Sequence, residues 1–424
     1  MRIGRFNPFR PNSLVPTGLF TGRFEETLAL ENMLLNTLNG NPQNFLLHGE
    51  RGIGKSSLLY MHELAAKGRV KAFGGGVFNF LVVSINLDKN DTYESIIDKL
   101  GEGLKLTCAA ASKGQELLKT AWAFLSRFEA AGIKLRPQDV GDPKNRLMDL
   151  TYAYANTCED IKGYYDGILV LIDEADKAPA SADLGSTLKT LTERVSKCGN
   201  TVLAIGLAGV SSLLTVLRES HESSPRLFTS FDLKPLSDDE TRKVIEKSLT
   251  EAAEKNGYAT SIDDDATEML IKLSEGYPSF IQEFGYAAFN ADDDDVIRVE
   301  DVRNGAWREH GAFSQLGEKF FKHMYLGKIS SERYRQLLQK MAIHDDEWMT
   351  KEALRREAGL SETILTNALQ ALVSRGIILG REGKKGQYRL PSKSFSAWLR
   401  AYQMRDAAGT QVPDLWLKGN PSEA

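Results

Sequence analysis

The glycine-rich octapeptide at residues 49–56 constrains this chain more than any other feature of its sequence. It reads GERGIGKS and fits the pattern G-x-x-x-x-G-K-[ST] in full, with the apolar run NFLLH before it and a helical pattern after it. Glycines let backbone N–H groups turn around a phosphate, and the N-terminus of the following helix favours negative charge. The segment therefore predicts a nucleotide-binding P-loop between a buried strand and a helix.

The P-loop pattern also predicts the ligands. Its lysine reaches the β- and γ-phosphates of a nucleoside triphosphate, and the hydroxyl after it binds Mg²⁺. We therefore expect ATP, or a related triphosphate, with Mg²⁺, and we expect Lys55 and Ser56 in these two roles. The residues predicted to contact the nucleotide through this segment are Gly49, Glu50, Arg51, Gly52, Ile53, Gly54, Lys55, Ser56 and Ser57.

An acidic pair, Asp173 and Glu174, directly follows the apolar run ILVLI at residues 168–172. In a parallel sheet the carboxyl end of such a strand lies beside the P-loop. Asp173 is predicted to hold Mg²⁺ through its water shell, and Glu174 to polarise the attacking water during hydrolysis. Residues 173–176 also spell the DEAD tetrapeptide of one helicase class. Because no Ser-Ala-Thr follows and one nucleotide-binding domain is apparent, we do not adopt that reading.

The order of apolar runs predicts the fold class. Helical segments separate five short runs, which is the pattern of a parallel α/β sheet covered on both faces. The predicted strands are residues 44–48, 80–86, 168–172, 201–207 and 228–233. A helical insertion is expected at about residues 88–166, with helices at 93–106, 115–131 and 145–161. From residue 237 onward we expect helices only, with a capping box at Ser237 and Glu240. The acidic run at residues 292–295 is interpreted as a solvated loop.

The last part of the chain has a different pattern. Helices are predicted at residues 332–342, 350–358 and 362–375, followed by a hairpin of residues 377–381 and 387–390, which is the order of a winged helix. Residues 329–400 contain 13 Lys and Arg against 8 Asp and Glu. This local excess favours either contact with duplex DNA or docking on a protein. The candidate DNA contacts are Asn367, Gln370, Arg375, Arg381, Lys384, Lys385 and Arg389.

Composition excludes several classes of protein. The formal net charge of the 424 residues is −4, which argues against a uniformly basic nucleic-acid-binding surface. Cys108, Cys158 and Cys198 are widely spaced and include no Cys-x-x-Cys pair, so neither a disulfide framework nor a zinc site is expected. No secretory signal and no run long enough to cross a membrane is visible. We therefore expect a cytoplasmic protein with no membrane partner.

Beyond these motifs, the sequence resembles AAA+ ATPases of the replication-initiator and related signalling (STAND-like) branch. Three segments carry the resemblance: LFTGRFEE at residues 19–26, LKPLS at 233–237 and GYP at 276–278. The first is similar to the segment that packs on adenine in this family, which implies ATP contacts by Phe20, Gly22 and Arg23. The third is similar to the lid motif whose proline lies by the nucleotide, which implies a contact by Pro278.

The chain departs from the family pattern at two positions. Ser279 and Phe280 stand where an arginine often senses the γ-phosphate. Ala208 and Gly209 follow the fourth strand, where a polar sensor is usual, which leaves Ser211 or Ser212 as substitutes.

The resemblance also implies a homo-oligomer in which an arginine of one subunit completes the neighbour's catalytic site. Arg226 has the place of such a finger, and Arg218 is the alternative. Because the sensor arginine is missing, a slow ATP-held switch and a motor both remain compatible with the sequence.

These observations predict five segments and leave two functions open. The segments are an extended arm (1–18), an AAA+ α/β core (19–236), a helical lid with connecting helices (237–328), a winged helix (329–400) and a tail (401–424). The first function is an ATPase that couples ATP binding and hydrolysis to oligomerisation and duplex DNA engagement. The second is a nucleotide-controlled signalling or defence switch whose winged helix docks a partner protein.

Overall fold

The computed structural model of this chain describes residues 4–13, 21–72, 74–111, 143–199, 201–344, 347–381 and 383–407. It divides the chain into two compact units, and each is described by itself. One unit, here called the nucleotide unit, is Leu14–Lys234. The other, here called the helical unit, is Met1–Ser13 together with Pro235–Ala424.

A five-stranded parallel sheet forms the centre of the nucleotide unit. Its strands are β1 (Asn44–His48), β2 (Leu81–Asn86), β3 (Ile168–Asp173), β4 (Leu203–Gly209) and β5 (Phe228–Asp232). They lie in the order β2-β3-β4-β1-β5, and every adjacent pair is parallel. The predicted α/β fold class is confirmed. The largest difference in strand bounds is at β4, which begins two residues later than predicted and continues to Gly209.

Burial explains why these runs become strands. All seven residues of β4 are buried, and so are the first five of β3, as expected for strands covered on both faces. Gly206 brings β4 close to β1, because a Cβ at this position would lie 2.1 Å from Cζ of Phe45. The Phe45 ring packs edge-on against the buried His62, with ring centroids 5.0 Å apart.

Helices surround this sheet. They are α1 (Phe24–Leu38), α2 (Lys55–Ala66), α3 (Tyr93–Ala110), α4 (Pro143–Asp160), α5 (Leu184–Lys197) and α6 (Leu213–Ser220). Thr92 caps α3, since its side chain accepts a hydrogen bond from the Ser95 N–H at 3.3 Å. Helices α3 and α4 form the helical insertion between β2 and β3. The helix predicted at residues 115–131 lies outside the described residues.

The helical unit begins with the predicted capping box. Ser237 accepts from the Glu240 N–H at 3.3 Å, and the Glu240 carboxylate accepts from the Ser237 N–H at 2.9 Å. The helices are α7 (Asp238–Asn256), α8 (Asp264–Ser274), α9 (Pro278–Ala291), α10 (Val299–Trp307) and α11 (Ala312–Leu316). The prediction of helices alone was wrong here, because β6 (Ser261–Ile262) pairs with β7 (Val296–Ile297).

The C-terminal part of this unit alternates helices with a small antiparallel sheet. Its elements are α12 (Glu332–Met341), β8 (Met349–Thr350), α13 (Lys351–Ala358), α14 (Glu362–Ser374), β9 (Leu379–Gly380), β10 (Gln387–Arg389) and α15 (Lys393–Ala407). The sheet order is β8-β10-β9. The three predicted helices and the hairpin are confirmed. Strand β8 was not predicted, since two residues are too few to give a periodic signal.

Residues 4–13 lie against helices α7 and α9 of the helical unit. Phe9 is 2% exposed, and its ring occupies the space beside Gly285, where a Cβ would come within 2.4 Å of it. Arg5 pairs with Asp292 at 2.6 Å and lies 3.8 Å from the centroid of the Phe289 ring. The interpretation of residues 292–295 as a solvated loop was therefore wrong for Asp292, which is buried by this pairing.

No helix among the described residues is both long enough and apolar enough to cross a membrane.

We predict that Phe9→Ala releases residues 4–13 from α7 and α9. Removing a buried phenylalanine typically costs about 3–5 kcal/mol, and here the cost lowers the free energy with which residues 4–13 dock. The N–H groups of Phe6 and Arg10 donate to Asn256 and Gln282, so their hydrogen exchange reports the docking. Their exchange rates should rise at least about tenfold. Phe24→Ala, which truncates a ring that is 52% exposed, is the control and should leave both rates unchanged. Equal rates in Phe9→Ala and wild type would show that the ring does not hold the segment.

Candidate functional site

Three adjacent strands bring the sequence motifs together. Strand β4 lies between β3 and β1, and all three are parallel, so their carboxyl ends share one edge of the sheet. The P-loop leaves β1, Asp173 ends β3 and Gly209 ends β4. In open α/β sheets ligands bind outside the carboxyl ends of the strands. This edge is therefore the candidate site.

The P-loop glycines adopt backbone conformations that side chains rarely permit. The φ angles of Gly49, Gly52 and Gly54 are 148°, 81° and 96°. Gly49 also passes close to the chain after β5, because a Cβ there would lie 2.8 Å from the Leu233 carbonyl oxygen. Helix α2 begins immediately after the loop, at Lys55. Its first N–H groups and its dipole make this end a binding position for an anion.

Lys55 lies across the P-loop. Its Nζ donates to the carbonyl oxygens of Gly49 at 3.0 Å and Glu50 at 2.7 Å. Burial lowers the pKa of Lys55, while the carboxylates of Asp176 and Asp173 act in the opposite direction and favour its charged form. Lys55 is thus a partly buried amine at the P-loop that these two carboxylates attract. Ser56 and Ser57 follow it in the first turn of α2.

Arg23 supports the P-loop from the side. It is 7% exposed and adopts a left-handed conformation, with φ of 59°. Its Nη2 donates to the Ile53 carbonyl at 3.0 Å, and its Nη1 lies 3.4 Å from Glu26 Oε1. The predicted residue Arg23 is therefore at the P-loop, where it contacts the backbone. Gly22 precedes it with φ of 79°, and Phe20 lies outside the described residues.

Asp173 and Glu174 lie at the end of β3, as predicted. Asp173 pairs in register with Asn86, and its Oδ1 accepts from the Glu174 N–H at 2.8 Å. Glu174 has φ of 54°, and its carboxylate pairs with Lys177 at 2.6 Å. Both partners of this pair are more than 40% exposed, so the pair holds Glu174 only weakly.

The donor set of this edge fits Mg²⁺. The ion prefers oxygen ligands and usually combines one or two carboxylates with waters and substrate phosphates. Ser56 and Asp173 would supply the protein's oxygens in that arrangement. No cluster of three or more His, Cys, Asp or Glu residues suited to a metal occurs among the described residues. The remaining ligands would come from water and from the phosphates of the nucleotide.

Asp176 is a residue of this edge to which the sequence analysis gave no role. It lies in the short turn Ala175–Lys177, and its Oδ1 accepts from the Val210 N–H at 2.9 Å, just beyond the end of β4. The substitutes expected from the sequence, Ser211 and Ser212, are both exposed. The DEAD tetrapeptide was the sequence feature that could have indicated Asp176. The sequence alone does not show that the last carboxylate of this tetrapeptide would contact the end of β4.

Arg226 lies on the other edge of the sheet. The turn Ser224–Leu227 directly precedes β5, whereas the P-loop follows β1, which is parallel to β5. A five-residue strand spans roughly 16 Å, so Arg226 is remote from the P-loop of its own chain. Arg226 is exposed, and its turn is fixed by the buried Ser224, whose Oγ donates to the Leu217 carbonyl at 2.7 Å. Arg218 is exposed in the last turn of α6.

Pro278 and the residues after it belong to the helical unit. Pro278 is the first residue of α9, after Gly276, whose φ is 72°. Phe280 packs into the core of that unit and stacks on Tyr277, with centroids 5.1 Å apart. Phe280, near the position where the family often has a sensor arginine, thus contributes to apolar packing instead. The contact between Pro278 and the nucleotide stays a prediction.

The candidate DNA contacts differ in their surroundings. Asn367 and Gln370 are exposed on α14, and Lys384 and Lys385 are exposed in the turn between β9 and β10. The three arginines instead make contacts inside the unit. Arg375 donates to the Lys328 carbonyl at 2.8 Å. The guanidinium groups of Arg381 and Arg389 lie 5.5 and 4.9 Å from the centroid of the Trp348 ring.

Comparisons with known proteins agree with this geometry. Residues 19–205 match the AAA ATPase domain family. The structure is similar to the Walker-type ATPase PABY2304 of Pyrococcus abyssi, with 17% identity, a TM-score of 0.54 and coverage of 90% of this chain and 96% of that one. It is also similar to the ORC2 protein of Aeropyrum pernix, solved in ADPNP–ADP complexes, with 15% identity, a TM-score of 0.54 and coverage of 96% and 99%. No curated protein matched the sequence.

Residues 19–205 of this chain thus match the AAA ATPase domain family, and the chain has the fold of these two proteins. At such low identities the likeness to the two structures shows the fold alone. The resemblance to AAA+ ATPases is confirmed for residues 19–205, and the likeness to the ORC2 protein is a likeness of fold.

We predict that Arg23→Ala loosens the P-loop without unfolding the nucleotide unit. The change removes the donor to the Ile53 carbonyl, and a lost hydrogen bond from a charged group costs about 1.5–3 kcal/mol. Amide exchange at residues 50–55 should rise roughly tenfold or more. Arg69→Ala, which truncates an exposed arginine of the same unit, should leave that exchange unchanged. Unaltered amide exchange in Arg23→Ala would show that Arg23 does not support the P-loop.

Proposed function

We propose that this chain binds ATP with Mg²⁺ at the P-loop edge and hydrolyses it, and that the nucleotide state controls self-assembly and engagement of duplex DNA. The observation that carries the proposal is the convergence of Lys55, Asp173 and the N-terminus of α2 at one edge of a parallel sheet. The structural similarity to the ORC2 protein, solved in ADPNP–ADP complexes, supports nucleotide binding at this fold.

Each residue of the edge has a task that follows from its chemistry. The backbone N–H groups of the loop and the start of α2 bind the phosphates, and Lys55 exchanges its carbonyl partners for the β- and γ-phosphates. Ser56 and, through water, Asp173 would hold Mg²⁺, which would supply neutralisation of the phosphate charge. Glu174 orients and deprotonates the attacking water, for which it first leaves Lys177. The weak, exposed pairing makes that step easy.

We predict that Lys55→Ala abolishes measurable ATP binding, because it deletes the cation that meets the phosphates. Glu174→Gln should bind ATP with nearly normal affinity and hydrolyse it at least about a hundredfold more slowly, since general-base catalysis contributes roughly 10²–10⁴-fold. Affinity is measured with a fluorescent ATP analogue, and turnover by phosphate release. Glu159→Gln, at an exposed carboxylate of α4, is the control and should keep wild-type turnover. Equal turnover in Glu174→Gln and wild type would overturn the assignment of the base.

The position of Arg226 supports assembly through the nucleotide. The residue is exposed, its turn is rigid, and it is remote from its own P-loop, so it can act on a γ-phosphate only in a neighbouring subunit. A head-to-tail contact that places the edge bearing Arg226 against the P-loop edge of the next copy would satisfy this geometry. We therefore propose a homo-oligomer with nucleotides at its interfaces.

The C-terminal elements support a winged helix that meets duplex DNA. Their order is helix, strand, helix, helix and a two-stranded hairpin, and the three short strands form one antiparallel sheet. In such modules the last helix enters the major groove and the hairpin contacts the backbone. Asn367 and Gln370 are exposed on α14, and Lys384 and Lys385 are exposed at the tip of the hairpin.

A second function has one observation in its favour. Arg375, Arg381 and Arg389 are engaged by contacts within the unit, which leaves fewer arginines to meet phosphates than the sequence suggested. A signalling or defence switch whose winged helix docks on a partner protein fits this feature. The two functions differ in one measurable property, which is salt-dependent binding of duplex DNA.

We predict that Lys384→Glu with Lys385→Glu weakens duplex DNA binding and makes it less sensitive to salt. Each lost phosphate contact lowers the slope of log affinity against log salt by about 0.9, so two contacts lower it by roughly 2. Fluorescence anisotropy at several salt concentrations, with ATP and with ADP, measures both effects. Lys71→Glu with Lys162→Glu reverses two exposed charges in the nucleotide unit and is the control. If wild type binds no duplex at low salt in either nucleotide state, the switch that docks on protein replaces the DNA-binding function.

A further inference from the structure

The end of β4 lies between the two motifs that handle the nucleotide. Its neighbours β1 and β3 lead into the P-loop and into Asp173 respectively. Yet β4 reads LAIGLAG, and all seven residues are buried, so the strand itself offers no polar side chain at this edge. A side chain that comes from elsewhere must supply any hydrogen-bonding group at this point.

Asp176 supplies that group. Its Oδ1 accepts from the Val210 N–H at 2.9 Å, the first N–H after the strand. The backbone of Glu174, in the left-handed conformation, directs the chain from β3 into the turn that carries Asp176. The carboxylate therefore reaches across from the end of β3 to the end of β4.

Gly209 shows that this carboxylate occupies the place of a β4 side chain. A Cβ built on Gly209 would lie 2.7 Å from Asp176 Oδ1 and 3.1 Å from the Asp176 nitrogen. Distances under 3.0 Å essentially never occur for real Cβ atoms, so a side chain at position 209 would have to displace both the Asp176 carboxylate and Leu213, whose Cδ2 would lie at 2.9 Å. The glycine at the end of the strand and the acidic residue in the turn are thus two parts of one arrangement.

The same carboxylate acts on the P-loop lysine. Burial lowers the pKa of Lys55, and among the groups that oppose this effect Asp176 comes first, ahead of Asp173. This attraction agrees with the geometry, which places Lys55 and Asp176 at the same edge of the sheet.

We propose that Asp176 is the positioning residue that ties the end of β3, where Asp173 lies, to the turn after β4, and that it replaces a polar sensor side chain on β4 itself. This inference rests on the proposed ATP binding. A triphosphate bound beside Asp173 shifts the end of β3, and the hydrogen bond from the Val210 N–H to Asp176 carries that shift into the turn after β4. The turn leads into α6, and the Leu217 carbonyl of α6 fixes the segment that bears Arg226. Asp176 thus connects the phosphate end of one site with the arginine offered to the next subunit.

Three variants separate charge from shape. Asp176→Asn keeps an oxygen for the Val210 N–H and removes the negative charge. Asp176→Ala removes both. Asp176→Glu keeps the charge and lengthens the side chain by one methylene group. Asp166→Asn is the matched control, because Asp166 also accepts a backbone N–H, that of Asn79 at 2.6 Å, just before β3 at the opposite edge of the sheet.

Turnover and affinity give the first readout. We expect Asp176→Asn to keep the melting temperature and to keep ATP affinity within about twofold, while kcat falls at least about tenfold. Asp176→Glu should keep at least half of the kcat that Asp176→Ala loses, and Asp166→Asn should match wild type. A purely structural Asp176 predicts normal kcat in Asp176→Asn, and that result overturns the proposal. If Asp176→Asn does not fold, Asp176→Glu decides, and a kcat no higher than that of Asp176→Ala overturns the proposal.

Amide exchange gives a second readout that needs no hydrolysis. In wild type, exchange of the peptide containing Val210 should differ between Mg²⁺ with ADPNP and Mg²⁺ with ADP, and Asp176→Asn should abolish that difference. An equal response in both proteins overturns the link even where catalysis is affected. A wild type that binds ADPNP but turns over no ATP contradicts the proposed hydrolysis, and the exchange result then decides on Asp176. A wild type that binds neither nucleotide overturns both proposals.

Discussion

Parallel pairing of β4 between β1 and β3 is the constraint on which the site depends. Parallel strands in register present their carboxyl ends at the same edge, so a loop after β1, a carboxylate after β3 and a turn after β4 must come together. The pairing is possible because Gly206 accepts the ring of Phe45 against the backbone of β4. Apolar burial of the strands thus determines the positions of polar groups that themselves contribute little to the core.

Local sequence patterns predicted the strands and the P-loop, because burial and glycine conformation determine these elements. The apolar runs became strands because continuous burial on both faces requires them, and the P-loop appeared because its glycines permit positive φ angles. Lys55, Asp173 and Glu174 lie where strand order and motif spacing indicated.

What the sequence could not reveal depends on residues that are distant along the chain. Arg5 and Asp292 are separated by 287 positions, and no periodicity links a basic residue near the N-terminus with an acidic run beyond α9. The acidic run therefore looked solvated, although Asp292 is buried in an ion pair. The role of Asp176 could not be predicted for the same reason, because it depends on the hydrogen bond from the Val210 N–H and on the absence of a side chain at Gly209. The partner of a polar side chain is a tertiary property.

Two non-glycine residues of the nucleotide unit have strained backbone conformations, and the contacts that hold them differ in strength. Arg23 and Glu174 both adopt left-handed conformations, at φ of 59° and 54°, which cost non-glycine residues about 1–3 kcal/mol each. Arg23 is held there by the P-loop carbonyl it contacts, whereas Glu174 is held by an exposed pair with Lys177.

The two edges of the sheet divide the catalytic task. In the proposed function the P-loop edge binds the phosphates and carries the base, while Arg226 lies at the other edge, on a turn held by the bond from Ser224 to the Leu217 carbonyl. One chain would therefore hold both halves of the proposed catalytic arrangement and could not join them within itself. The proposed assembly answers this separation, because copies arranged head to tail would bring unlike edges together. Control of assembly by the nucleotide then requires a connection through each chain. Two hydrogen bonds of this unit are suited to it, since Asp176 ties the end of β3 to the turn after β4, and the Leu217 carbonyl ties α6 to the segment of Arg226.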